Sequence, residues 1–360
     1  MTFLIAVLLI IIVSWLVAVL FMRGEDLGEF DRDDDSNAVR SFAGQNGPGQ
    51  EHGKIVESIR EFGEQARRLP KREKLDFMRR FMEDMSADRG YASDFVPVDA
   101  AGVPAEWVLA PGADPSKRVL YIHGGAFMAG SSHSHRNITN RFSEMTGAAV
   151  LAIDYRLMPE NRRGDGIADC RTAYRWILEN GPDGAAPPAY LVISGDSAGG
   201  NLTLSLVAWA RDAGLRAADA VVAFSPTVDG TYSSPSIRSN VSSDVMLGPL
   251  FRPLLKIPHT IRAWVYLLEF RFSPANPVVS PVLGDLSNLP PTLIQVSEAE
   301  MLLDDARRYV RKARASGSPA VAQSWPHMLH VWQIFYPELP EAEQALQEVR
   351  LFLRGLEKEQ

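Results

Sequence analysis

The chain has 360 residues, 46% hydrophobic and 22% charged, enough for one large α/β domain or a core domain with a smaller cap. Its net charge of −7 gives a nucleic-acid role no electrostatic support. Cys170 is the sole cysteine, which excludes an intrachain disulfide. It falls on the apolar side of a predicted helix with Ile167, Tyr174, Ile177 and Leu178, which suits a packing thiol.

Residues 3–22 form an uncharged apolar run. As a helix it is roughly 30 Å long, the thickness of a bilayer core. A cleavable signal would carry basic residues ahead of the run and small residues at its end, and Val19-Leu20-Phe21-Met22 makes a poor cleavage site. Residues 1–23 therefore read as a single-pass membrane anchor, with a cleaved signal and secretion as the alternative. The flanking charge leaves the orientation open. Residues 24–53 change character. Acids cluster at Glu25, Asp26, Glu29, Asp31, Asp33, Asp34 and Asp35, and Gly44-Gln45-Asn46-Gly47-Pro48-Gly49 follows. The segment reads as a solvated linker.

Residues 54–95 read as an N-terminal helical region, with helical spacing from Ile55 to Met85 broken at Leu69-Pro70. Ile55, Ile59 and Phe62 share one face, and Leu75, Met78, Phe81 and Met82 another. Two helices capping the site below are one use of these faces; pairing two copies of the chain as a homodimer is the other. Residues 96–360 alternate. Strands are predicted at 107–109, 119–122, 150–153, 190–194, 220–224, 292–296 and 321–325. Helices are predicted at 137–145, 167–179, 201–211, 303–315 and 341–356. That alternation implies a mostly parallel sheet with helices on both faces. Around residues 230–280 it breaks into amphipathic pieces at 246–255 and 261–270, read as a cap insertion.

The chemistry centres on Gly195-Asp196-Ser197-Ala198-Gly199-Gly200, set between a predicted strand and a predicted helix. In that context a serine sits on a tight turn with its hydroxyl exposed, and the flanking glycines let strand and helix approach closely. Ser197 is the candidate nucleophile. His123-Gly124-Gly125-Ala126 follows the strand ending at Ile122. Its backbone amides suit an oxyanion hole, with Gly124, Gly125 and Ala198 as the candidate donors. His123 suits a bracing role in that loop. Asp196 suits a structural role within the serine turn, and Glu160 one in holding the loop after Tyr155. His133-Ser134-His135 lacks a third ligand at metal-binding spacing. No metal or cofactor is called for.

These motifs, with Tyr155-Arg156-Leu157-Met158-Pro159-Glu160, resemble the hormone-sensitive-lipase-like branch of the α/β-hydrolases, the bacterial family IV esterases. The likeness runs from about Val103 to Leu356 and includes Ser280-Pro281, Leu289-Pro290-Pro291 and Trp325-Pro326-His327-Met328-Leu329-His330. Ala126 departs from the third glycine usual in the family; an alanine keeps its amide aimed when φ is negative, so little loss is expected. The resemblance implies an α/β-hydrolase fold with a helical cap and a serine carboxylesterase activity. It places the base at His330, with His327 as a loop neighbour. It places the acid at Glu300, where the family usually has Asp, with Asp304 as the alternative. The spacing of 330 minus 300, or 30 residues, is the one it implies. The expected substrates are short- to medium-chain acyl esters. Lactones or acetylated terpenoid or steroid esters are the alternative with the same residues. A non-catalytic ligand-binding receptor is the rival from another class, and the presence of His330 counts against it.

Overall fold

Apolar runs too short for helices become strands here, because both faces of the sheet they join are covered. The computed structural model describes residues 2–32, 37–42, 48–87 and 89–359. In chain order it contains α1 (Thr2–Phe21), β1 (Val39–Ser41), α2 (Gln50–Arg68), α3 (Lys74–Asp84), β2 (Asp94–Asp99), β3 (Pro104–Leu109), β4 (Asp114–Ile122), α4 (Arg136–Thr146), β5 (Ala148–Ile153) and α5 (Arg163–Ile177). A short hairpin of β6 (Asn180–Gly181) and β7 (Gly184–Ala185) follows, then β8 (Tyr190–Asp196), α6 (Ser197–Asp212) and β9 (Ala220–Phe224). The chain continues through α7 (Ser236–Ser239), α8 (Gly248–Leu254), α9 (His259–Phe270), β10 (Thr292–Ser297), α10 (Leu303–Ala315), β11 (Ala320–Trp325) and α11 (Pro340–Glu359).

Among the described residues nine strands form one sheet in the order β1-β11-β10-β9-β8-β4-β5-β3-β2. β3 runs antiparallel to its neighbours β2 and β5, and the remaining pairs are parallel. Every residue of β5, β8 and β9 is buried. The two-residue period of the strands divides the interior into two layers. Leu120 and Ile122 of β4 face a core with Cys170 and Tyr174 of α5, Leu206 of α6 and Tyr309 of α10. Val119 and Tyr121 face the other, with Ile138 and Phe142 of α4 and Val349 of α11. Burying each such large apolar side chain contributes about 1.5–3 kcal/mol. Cys170 lies in the first of these layers and burial pushes its thiol pKa well up, which makes it inert.

Three sequence expectations need revision. The linker reading of residues 24–53 fails where apolar side chains dock. Leu27 and Ala38 are buried, β1 adds a parallel edge strand to β11, and Asp31 makes a two-pronged ion pair with Arg308. Asp33, Asp34, Asp35 and residues 44–47 of that reading lie outside the described residues. β2 was missed because its run of Asp, Pro and alternating exposure is that of an edge strand, where proline is tolerated. α6 starts at Ser197 rather than at 201, so the serine itself opens the helix.

α2 and α3 pack through Phe62, whose ring centroid lies 5.0 Å from that of Phe77 and 4.1 Å from that of Phe81. Arg79 of α3 then reaches the main part of the molecule, donating to the carbonyls of Met128 and Met158 and to both oxygens of Glu160. α1 is long and apolar enough to cross a membrane over Leu4–Phe21, with a mean hydropathy of 3.2 and 6% of that stretch buried. An anchor and a signal sequence share those features. The foot of α1 packs against α9 through Ala18, Met22, Ala263 and Trp264.

Candidate active site

The turn between β8 and α6 places Ser197 at φ +51°, in the left-handed region that side-chain-bearing residues avoid. Holding a non-glycine residue there costs on the order of 1–3 kcal/mol, which the surrounding packing must offset. The close approach that forces this geometry is visible at Gly199. A Cβ there would lie 1.9 Å from the Ile122 carbonyl oxygen at the end of β4. The turn therefore lifts the serine hydroxyl off the sheet and into reach of the loop after β11.

From that loop His330 projects inward. Its Nε2 lies 2.9 Å from Ser197 Oγ and its Nδ1 lies 2.6 Å from Glu300 Oε2. Glu300 follows β10 and is 1% exposed; its Oε1 accepts the Ser297 amide at 2.7 Å and the Ser225 hydroxyl at 2.8 Å. Burial pushes the Glu300 pKa above its ordinary value, and the hydrogen bond from His330 opposes that rise. Burial alone would depress the His330 pKa, but the hydrogen bond and charge of Glu300 outweigh it and leave the imidazole raised. An alcohol, an imidazole and a carboxylate thus stand in one hydrogen-bonded line.

The other acid of the sequence reading is elsewhere. Asp304 accepts the Ser236 amide at 2.9 Å and pairs with Arg307 at 3.2 Å, in the first turn of α10. His327 likewise lies outside the line; it occupies a turn at φ +64° between β11 and His330.

The loop after β4 departs from expectation at two residues. Gly124 was expected to offer its amide to an oxyanion, but that N–H donates to Asp196 Oδ1 at 3.0 Å. The Asp196 side chain turns back across the serine turn to collect it, so this amide is already committed. Among the described residues, the amides of Gly125, Ala126 and Ala198 donate to nothing. Ala126 adopts φ +56°, not the negative value expected for an alanine at that place. Gly125 has φ +108°, and a Cβ on it would fall 2.1 Å from the Ala129 carbonyl oxygen. That position admits glycine alone.

Asp196 is buried at 3% exposed and also accepts the Tyr121 hydroxyl at 2.8 Å, with His135 Nε2 3.4 Å away. Burial works against its ionisation, yet His135 and Tyr121 hold its pKa below the ordinary value. His123 braces the loop: its Nδ1 lies 2.7 Å from the Gly124 oxygen, and its ring stacks on Tyr155 at 4.4 Å. Burial, helped by His135, lowers its pKa to about 4, so it is neutral near pH 7. Glu160 meets Arg79 at 2.8 Å, at the edge of the same loop.

Sequence reasoning missed Ser225 and Asp244. Ser225, at φ +45° just beyond β9, holds Glu300 and also accepts the Val331 amide at 3.2 Å. Asp244 is buried and caps the amide of Met301 at 2.9 Å, fixing the loop that carries Glu300. Neither has a sequence signal, since each is a common polar residue in an irregular stretch. Tyr121, which ties Asp196 to β4, stood out in the sequence only as part of the strand predicted at 119–122.

Several known proteins are similar to this chain. A family model described as the alpha/beta hydrolase fold matches residues 119–334. An acetyl-hydrolase of Streptomyces hygroscopicus is 36% identical over 250 residues, 69% of this chain and 79% of that one. A carboxylesterase/phospholipase of Mycobacterium tuberculosis, LipF, is 34% identical over 269 residues, 71% of this chain and 68% of its own. Among solved structures, an esterase of the bacterial hormone-sensitive lipase family superposes with a TM-score of 0.74 at 33% identity, covering 86% of this chain and 99% of that one. The crystal structure of EstE5, soaked with p-nitrophenyl butyrate, gives a TM-score of 0.73 at 36% identity, with coverages of 86% and 99%.

Proposed function

The chain belongs to the hormone-sensitive-lipase-like family of the α/β-hydrolases and is a serine ester hydrolase, and from that premise we propose which residues carry the reaction and which esters it takes. Ser197 is the nucleophile, His330 the general base and Glu300 the acid that orients it. The observation that carries this reading is the position of His330, within hydrogen-bond reach of both partners through its two different ring nitrogens.

The steps follow from that line. Glu300 accepts from Nδ1–H, which fixes the tautomer and leaves Nε2 free to take a proton. Ser197 Oγ attacks the ester carbonyl as its proton passes to His330 Nε2. The oxyanion so formed faces the amides of Gly125 and Ala198, with Ala126 as the third open donor. Each donor of this kind contributes on the order of 10²–10³ in rate. The tetrahedral adduct collapses, the ester C–O bond breaks, and His330 returns the proton to the leaving alcohol. Water, deprotonated by the same nitrogen, then attacks the acyl-enzyme; the carboxylic acid leaves and Ser197 regains its proton. Asp196 and His123 hold the oxyanion loop, and neither exchanges a proton in this scheme.

The substrates in this reading are short- to medium-chain acyl esters. The acetyl-hydrolase relative and the butyrate ester soaked into EstE5 support that choice. α1 is a membrane anchor in the same reading, supported by its exposed apolar length and its packing onto α9. The testing experiment profiles the full chain on p-nitrophenyl esters from acetate to palmitate, after separation of membrane and soluble fractions. Greatest turnover on chains up to about eight carbons, by uncleaved protein in the membrane fraction, agrees with this reading. Palmitate preference, or a soluble shortened chain, contradicts one or the other part.

A further inference from the structure

At the foot of α1 lies a cavity of about 450 Å³, walled by Val19 and Arg23, the first turn of α9, the loop before α7, and Arg308. Arginines outnumber acids in its lining. Arg23, Arg238 and Arg262 all line it, and among the described residues none of the three has a carboxylate within ion-pair distance. Arg262 is 5% exposed, and among the described residues its Nε and Nη1 find no hydrogen-bond partner. A buried guanidinium without an acceptor is costly, because it loses hydration and gains nothing in return.

No acid nearby reaches ion-pair distance of these three arginines among the described residues. Glu25 lines the cavity but is engaged by Lys312, and Asp26 accepts the Gly28 amide. Arg308 is itself satisfied by Asp31 and by the Ser233 hydroxyl. Asp229, deeper in, is occupied by Thr231 and Ser233. Burial and the neighbouring Arg262, Arg23 and Arg238 depress the His259 pKa, which registers the positive field in this corner. α9 opens here with no side-chain cap, so its first-turn amides add to that field.

We propose that this cavity binds a phosphate group, that of a membrane glycerophospholipid, through Arg262, Arg238 and Arg23. The choice of a lipid rests on the anchor reading of α1. The cavity lies where the apolar stretch Leu4–Phe21 ends, the depth at which headgroups sit when such a helix spans a bilayer. α9 also presents Ile261, Val265 and Leu268 outward, exposed at 52%, 44% and 63%, along one helical stripe beside α1. An apolar stripe beside a cationic cavity matches the acyl chains and phosphate of one lipid.

The test uses the full chain purified in a nonionic detergent. Its melting temperature is followed against three additives: ether-linked dihexyl glycerophosphate, which holds no ester to hydrolyse, phosphate-free dihexylglycerol, and inorganic phosphate. The proposal expects a saturable rise with dihexyl glycerophosphate and none with dihexylglycerol. In Arg262→Gln and in the exposed, fold-neutral Arg238→Gln, the half-saturating concentration rises by about tenfold or more, the effect of one lost charge-assisted hydrogen bond. Hydrolysis of p-nitrophenyl butyrate stays unchanged in both variants. A response to inorganic phosphate as strong as that to the lipid overturns the lipid source and leaves a free-phosphate site. No saturable response to either phosphate, or one unaltered in Arg238→Gln, overturns the site. Binding in detergent does not depend on membrane insertion, so fractionation judges the anchor reading separately.

Discussion

The Gly124 amide donates to the Asp196 carboxylate at 3.0 Å, tying the loop after β4 to the residue just before Ser197. One buried carboxylate thereby fixes two segments far apart in sequence. Asp196→Ala leaves the Gly124 N–H and the buried Tyr121 hydroxyl without acceptors. The expected result is a loss of about 2–4 kcal/mol in stability, read by urea denaturation. kcat falls with it, by about tenfold or more, because Gly125 and Ala126 lose their fixed position. Asp196→Asn keeps an acceptor oxygen and is milder on both counts. An Asp196→Ala protein with native stability and kcat contradicts the tie.

The two candidate acids separate by mutation. Glu300→Gln keeps the shape but presents an amide where His330 Nδ1 needs a carboxylate, and kcat is expected to fall by about 10²–10⁴. Asp304→Asn alters only the contacts with Ser236 and Arg307, and kcat stays within about twofold of wild type. Steady-state kinetics on p-nitrophenyl butyrate ranks them. The reverse ranking moves the acid to Asp304.

The acid limb of the pH profile follows from the sign of the His330 shift. His330 acts as a base only when neutral, so kcat/KM rises with pH through its pKa. The hydrogen bond and charge of Glu300 outweigh burial and raise that pKa, so the limb lies above the ordinary imidazole value of 6.5. In Glu300→Gln the burial remains and the carboxylate is gone, so the residual activity titrates at lower pH than wild type. A limb that moves up in that variant contradicts the assignment.

Much of this architecture is legible in the sequence, for physical reasons. Parallel strands buried on both faces leave unbroken apolar runs such as residues 220–224, and a serine between glycines after such a run has few uses. Asp304 stayed open beside Glu300 because a glutamate departs from the aspartate usual in the family, and both fall in one short acidic segment. What escaped was contact across distance. Nothing in Gly124 announces that an aspartate from the serine turn takes its amide. Nothing in Ser225 or Asp244 announces that they hold Glu300 and its loop. β1 escaped because three residues carry no period, and its acidic surroundings hid Leu27 and Ala38, which dock that segment.

The central claim is that Ser197 is an activated nucleophile, and covalent labelling tests it most directly. The full chain is treated with a fluorophosphonate, and the adduct is located by peptide mass spectrometry while p-nitrophenyl butyrate hydrolysis is followed. One adduct per chain on Ser197, forming in step with loss of activity and absent in Ser197→Ala, is the predicted result. A Ser197→Ala protein that still hydrolyses the ester, or an adduct at another residue in step with inactivation, would contradict it.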